Sequence, residues 1–217
     1  MEQFSQALRQ RILDWLAAQV PASRLNHILR VEEMASDLAQ RHGVSAVRAA
    51  QAGLMHDLAK NFKPTRLLAI AQAENLALDP ILESNPHLLH ADVSAIVARD
   101  EFQVTDADIL AAIANHTLGK PGMDALSCIV FLADSLEPGR GNTPTLEMLR
   151  ETSWQDLPKA VWMTCDYTLS QLMAAQRLIH PRALATRNWF LQSAKTGHAS
   201  QSRPVKYSHT VHSLKFT

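Results

Sequence analysis

Residues 53–62 read GLMHDLAKNF, and the reading of this stretch decides the fold. It ends a run rich in Ala and Leu with an adjacent pair, His56 and Asp57, and Lys60 follows one helical turn later. Successive residues of an α-helix diverge by about 100°, so a neighbouring His and Asp cannot project in parallel from a continuous helix. They can converge on one ion if the helix ends there. Asn61-Phe62-Lys63 ahead of Pro64 suggests such an ending, because the residue before a proline avoids helical backbone. An isolated His-Asp dipeptide is a weak signal, so its meaning depends on the rest of the chain.

On both sides of this stretch the dominant period is helical. Phe4, Leu8, Ile12, Leu16 and Val20 recur every four residues, with Trp15 widening the stripe. Pro21 stops that helix, and Ser23 is placed to cap a second one ending at Gly43. Ser45 caps a third through Ala59, and Pro64 and Pro80 fit the first turns of a fourth and a fifth. HADVSAIVARDEF and DADILAAIANHT are amphipathic, the latter with Thr105 and Asp108 at capping-box spacing. MDALSCIVFLADSLE is apolar nearly all round and predicts a buried central helix. Asp156 starts a long helix through Leu178, and RALATRNWFLQ closes the set. The four tryptophans, Trp15, Trp154, Trp162 and Trp189, are expected in the core. No period-2 segment survives, so the expected fold is all-α, one helical bundle with a metal site in its centre. Its parts are an N-terminal helix (1–22), a main domain (23–193) and a mobile basic tail (194–217) containing His198, His209 and His212.

The composition excludes several functions. The 217 residues hold 21 Lys and Arg against 21 Asp and Glu, so no broad basic field exists to hold nucleic acid. A small phosphorylated ligand needs only a local cluster of cations. Cys128 and Cys165 sit in apolar helical patterns and read as reduced thiols. No apolar run reaches 18 residues and MEQFSQALRQ lacks a signal-peptide core, so a cytoplasmic protein without membrane attachment is expected.

Against this apolar background, six polar residues stand out. His27 lies in RLNHILRV, His90 in LLHADVSA, His116 in IANHTLGKPGM, and Asp134 follows the apolar run 129–133; His56 and Asp57 complete the set. Burying a lone carboxylate costs several kcal/mol unless it is paired or bound to metal. Singly, each residue reads as a hydrogen-bonded core group. Together, on five helices, they require a common partner, and a divalent cation is that partner. The mixed imidazole and carboxylate set suits iron, manganese, nickel or zinc better than calcium or magnesium. His42 reads as a helix-end residue, His87 as a loop polar group, and His180 as either a turn or a pocket wall.

The order His27, His56-Asp57, Asp134 resembles the HD-domain metal phosphohydrolase superfamily. RLNHILRV, HDLAKNF, SNPHLLHADVSA, NHTLGKPGM, VFLADSLEPGR and ATRNWFL, spread over about residues 20–192, resemble its branch of YqeK-type symmetrical diadenosine tetraphosphate hydrolases. The resemblance implies a helical fold holding iron and a small dinucleoside polyphosphate substrate cleaved to ADP. It implies His27, His56, Asp57 and Asp134 as metal ligands, with His90 and His116 holding either a second ion or the phosphates, hence one or two ions. Arg24, Lys60, Thr117 and Arg140 would line the nucleotide site, and Ile179 and His180 would approach the base. The chain departs from the branch at Asp92 and Ser94, where Pro and Gly are usual, and at Ser135, where an aromatic is common.

The expected mechanism is attack of metal-bound hydroxide on an inner phosphorus, with Asp57 and Lys60 as catalytic residues, Lys60, Arg140 and Arg24 near the departing ADP, and His116 a lesser candidate as general acid. Competing readings are a related phosphohydrolase acting on another nucleotide, a nucleotide sensor without turnover, and a purely structural protein. A homodimer is compatible with the main reading.

Overall fold

Residues 5–201 are described by the computed structural model, and every regular element among them is helical. α1 (Gln6–Gln19) buries Ile12 and Leu16, and α2 (Ala22–Arg41) starts after Pro21. Pro21 itself is the cap residue and Ser23 lies inside the helix, so the expected Ser23 cap is corrected. Gly43 takes the left-handed conformation, φ +68, that ends α2. Ser45 does cap α3 (Ala46–Met55), accepting from the Arg48 N–H.

α3 stops at Met55, and residues 56–61 continue as tight turns with i→i+3 bonds such as Lys60 N–H to Asp57 O, 3.0 Å. His56 and Asp57 therefore leave the helix at its end. α4 (Pro64–Ala73) and α5 (Pro80–Ser84) both begin on proline, and Asp79 caps α5. A 3-10 turn, Pro86–Leu89, leads into α6 (His90–Phe102). α7 (Ala107–Asn115) is capped by Asp106, which accepts from the N–H groups of Asp108 and Ile109, rather than through the Thr105–Asp108 spacing.

α8 (Ala125–Leu136) is the central helix, with residues 126–133 and Leu136 buried and α2, α3, α7, α9 and α10 packed around it. Each fully buried Leu, Ile, Val or Phe there stabilises the fold by about 1.5–3 kcal/mol. α9 (Pro144–Ser153), which the sequence reading passed over, follows a second 3-10 turn, Pro138–Arg140. α10 (Leu157–Ala174) ends earlier than Leu178, because Gln176 adopts φ +52 and turns the chain. α11 (Pro181–Gln201) runs past the expected boundary at residue 193; His209 and His212 lie outside the described residues. Trp15 and Trp162 pack against the core, but Trp154 and Trp189 are exposed by 36% and 42% and correct the expectation for all four.

α2 and α3 approach most closely at Gly53. A Cβ there would meet Glu32 Cα and Val31 O at 3.1 Å. The same glycine's carbonyl accepts from His56 Nδ1 at 2.7 Å, so the helix contact and the orientation of the imidazole are fixed at one residue.

Candidate metal centre

His27 stands on α2, His56 and Asp57 just after α3, His90 at the start of α6, His116 just after α7, and Asp134 on α8. The fold brings all six together. His27 Nε2 is 3.0 Å from Asp134 Oδ1, and His56 Nε2 lies 3.7 Å from the same oxygen and 3.4 Å from Asp57 Oδ2. Asp57 Oδ1 faces His90 Nε2 at 3.4 Å and His116 Nε2 at 3.7 Å.

The Nδ1 atoms explain why. His56, His90 and His116 each direct Nδ1 at a main-chain carbonyl three residues earlier, 2.6–2.7 Å away. His27 directs Nδ1 at Glu137 Oε1, 3.0 Å. These acceptors assign the proton to Nδ1 in all four rings, leaving every Nε2 with a lone pair aimed at the centre. Such a neighbour on the far nitrogen is how metal-binding imidazoles are held. Without a central positive charge the arrangement is repulsive, acceptor facing acceptor. His27 Nε2, His56 Nε2 and Asp57 Oδ1 are buried and have no hydrogen-bond partner among the described residues. His27, His56 and Asp134, and also His56, Asp57 and His116, present ligand atoms within 4.8 Å of one another. The donor set fits a divalent cation.

Without that cation the two carboxylates draw on imidazole protons instead: burial opposes it, but Asp57 and Asp134 raise the pKa of His56. Burial opposes ionisation of Asp57, yet His56, His116 and His90 hold its pKa well below the ordinary value. Asp134 is likewise held low against its burial by His27, His56, His116 and Arg140. Burial pushes His116 down to about 4, so its ring is neutral and free to accept at neutral pH.

A cavity of about 610 Å³ adjoins the centre, bordered by His116, Asp134, Lys60, Thr117, Arg140 and His180. Lys60 Nζ and Thr117 Oγ1 both donate to His90 Nε2, at 3.0 and 3.1 Å. Arg140 Nη2 donates to Asp134 Oδ1 at 2.6 Å. His180 is buried and lies 2.8 Å from Asp79 Oδ2, so it serves as turn and wall together. Arg24 does not border the cavity and donates to Asp57 Oδ2 at 3.1 Å. Ile179 does not border it either, whereas its neighbours Leu178 and His180 do.

Three supporting groups escaped the sequence reading. Glu137, 1% exposed, accepts from His27, Arg30 and the Gly139 N–H. A second carboxylate one turn after Asp134 on an apolar helix was the available signal. Arg182 donates to Gly119 O and Ala114 O at 2.7 and 2.9 Å and pairs with Asp92, tying α11 to the turn that carries His116 and Thr117. Ser94 Oγ accepts from Ala59 N–H at 3.0 Å, bracing the turn after Asp57. Asp92 and Ser94, two of the three departures from the expected motif, thus each have a partner inside this site. His42 Nε2 bonds to Ser153 O at 2.7 Å and stays structural.

Comparison with known proteins follows the same lines. A family model described as HD domain matches residues 24–139. A symmetrical bis(5'-nucleosyl)-tetraphosphatase of Halalkalibacterium halodurans is 34% identical over 187 residues, covering 86% of this chain and 99% of the relative. The protein of that description in Bacillus subtilis is 32% identical over 186 residues, with coverage of 86% and 99%. A crystal structure described as a predicted HD superfamily hydrolase involved in NAD metabolism, from Clostridium acetobutylicum, superposes with a TM-score of 0.82 at 30% identity, covering 88% of this chain and all of that one.

Proposed function

The chain belongs to the HD domain family, and from that premise we propose that it is a divalent-metal-dependent hydrolase cleaving diadenosine tetraphosphate symmetrically into two molecules of ADP. The observation that carries this reading is the convergence of bare Nε2 and carboxylate oxygen atoms beside a cavity bordered by Lys60, Thr117 and Arg140. A cation held by His27, His56, Asp57 and Asp134 supplies Lewis acidity and brings the pKa of water towards neutrality. Iron is our first assignment, with manganese, nickel or zinc the alternatives for this mixed donor set.

One ion accounts for the donors better than two. Among the described residues His27 Nε2 and His56 Nε2 have no hydrogen-bond donor, whereas His90 Nε2 already accepts from Lys60 and Thr117. We therefore assign Lys60 and Thr117 to the phosphates, with His90 positioning both through its accepting Nε2, and leave His116 Nε2, also an acceptor, to the cation beside His56 and Asp57. Lys60 stands 4.0 Å from Asp57 Oδ1, close enough to balance charge that develops on a departing phosphate. Arg140 sits beside Asp134 and takes the same part on that side. Arg24 acts on Asp57 and holds its Oδ2 in place. A phosphate monoester loses its last proton near pH about 6, so ADP departs at neutral pH without needing a proton. His116, neutral at pH 7, is accordingly assigned to accepting rather than donating. Phosphoryl transfer of this kind relies on positioning and electrostatics.

The test is to purify the chain, measure metal per chain, incubate it with diadenosine tetraphosphate and separate the products. ADP alone is expected. AMP with ATP would mean asymmetric cleavage, and no turnover by metal-loaded protein would remove the reading. The description of the Clostridium structure favours a second substrate class, NAD-related nucleotides, which the same assay examines in parallel. A homodimer and a cytoplasmic location belong to the proposal and are tested by sedimentation equilibrium and cell fractionation. Among the described residues no helix is long and apolar enough to cross a membrane.

A further inference from the structure

The lining of the cavity has two parts of different character. Its buried part includes Phe131 and Leu169, which are 5% and 8% exposed, together with His116 and Asp134. Its rim includes Arg177 and Leu178 from the α10–α11 connection, and Leu178 is 63% exposed. An inner apolar wall suits one nucleobase shielded from water. A single cavity of this size matches one drug-sized ligand, within the range of about 300–1,000 Å³ for such sites. A dinucleoside tetraphosphate is longer, and symmetrical cleavage sets its midpoint at the metal, so its two halves must leave the centre in different directions.

Two observations at the rim are unexplained by folding. The Arg177 guanidinium has no hydrogen bond or ion pair to another side chain among the described residues, although other arginines, such as Arg140, Arg182 and Arg187, are paired. Asp134, which borders the same cavity, is engaged with Arg140 and His27. Leu178 beside it is a large apolar side chain facing water. The backbone carrying both is fixed. Arg177 N–H bonds to Leu172 O at 2.9 Å, Gln176 turns the chain at φ +52, and Arg182 N–H bonds to His180 Nδ1 at 3.1 Å. The cation and the apolar surface are thus presented from a braced turn.

We propose that Arg177 and Leu178 form an outer subsite for the second nucleoside diphosphate half of the substrate, Arg177 binding its phosphates and Leu178 packing on its base. This rests on the dinucleoside polyphosphate reading above. Lys60 and Thr117 both bond to His90 and serve the inner half, and Arg177 does not join them. A guanidinium forks onto phosphate oxygens in a way an ammonium cannot, so a lysine in its place recovers only part of the binding. The outer subsite makes the enzyme prefer a long, two-ended substrate to a single nucleotide.

The experiment compares holoenzyme of the wild-type chain with Arg177→Ala, Arg177→Lys and Leu178→Ser. Loss of one charged hydrogen-bonding group predicts a KM for diadenosine tetraphosphate raised about tenfold in Arg177→Ala, with partial recovery in Arg177→Lys. Leu178→Ser raises it about threefold by loss of apolar contact. Inhibition by ADP, which fills the inner half alone, stays within about twofold, since its contacts are unaltered. An unchanged KM in Arg177→Ala, or ADP inhibition weakening in step with KM, overturns the subsite. If the wild-type chain does not turn over the tetraphosphate, the activity reading fails separately. The subsite is then judged by calorimetric Kd values for diadenosine tetraphosphate and ADP: a ratio narrowed by Arg177→Ala supports it, and an unaltered ratio overturns it.

Discussion

At the scale of single residues, the centre is organised by what stands behind each imidazole. Glu137 fixes His27 by accepting its Nδ1 proton while it also takes Arg30 and the Gly139 N–H. Replacing such a neighbour typically weakens metal affinity by about 10–100-fold, and that range is expected for Glu137→Ala in a competition with a chelator of known affinity. Glu137 also links stability to pH. Burial alone would raise its pKa, but Arg30, His27 and the Gly139 N–H hold it at about 2 against an ordinary 4.5. A depressed carboxyl pKa contributes stability above its unfolded value and loses it as pH falls through the folded one. In metal-free protein the contribution, on the order of 3 kcal/mol, is therefore complete above pH 4.5 and fades towards pH 2. Urea midpoints of wild-type and Glu137→Gln chains should converge across that interval; a constant gap would contradict the linkage. Lys60, half-buried and hydrogen-bonded to His90, is expected to act on substrate rather than metal. Lys60→Ala should keep its metal and lose about 10²–10³-fold in kcat, the size of losing one preorganised electrostatic contact. Turnover at the wild-type rate would remove Lys60 from the reaction.

At the scale of elements, the decisive contact is α2 against α3. An alanine at Gly53 would gain about 0.5–1 kcal/mol from helix propensity. It would also press a Cβ to 3.1 Å from Glu32 Cα and Val31 O, main-chain atoms that cannot rotate away. Overpacking of a filled core costs about 1–3 kcal/mol and wins. Gly53→Ala should lower Tm by about 2–4 °C and, because Gly53 O orients His56, loosen the metal as well. A Tm at or above wild type in a differential scanning experiment would show that α2 moves aside freely. Much of this element scale was legible in the sequence. Pro21, Ser45, Pro64 and Pro80 mark helix boundaries through local backbone chemistry, and each does so here. The Thr105 cap failed because Asp106, one residue later, presents a carboxylate to two N–H groups at once. The Trp154 and Trp189 assignments failed because helical residence says nothing about which face meets the core.

At the scale of the whole molecule, four imidazoles and two carboxylates meet at the middle of an all-helical bundle, and His27 Nε2, His56 Nε2 and Asp57 Oδ1 have no hydrogen-bond partner among the described residues, an arrangement that a cation would relieve. Binding at about 1,000 times Kd contributes about 4 kcal/mol, so removing the metal by chelation should lower Tm by roughly 10 °C. The shift should vanish in Asp57→Ala, which is expected to lose both metal and turnover. Superimposable melting curves with and without chelator would mean that the core holds these groups unaided. The sequence by itself determined the helical class, the central apolar helix, the six polar residues that converge and the family, because periodicity, proline chemistry and polar residues in apolar runs are local properties of the chain. Only the tertiary structure decided that Arg24 serves Asp57, that Glu137 stands behind His27, that Arg182 meets Asp92 across 90 residues, and that Arg177 borders the cavity with no side-chain partner among the described residues. Those pairings depend on how helices pack across long separations, and side-chain direction at such distances is set by the packed core rather than by any neighbour in sequence.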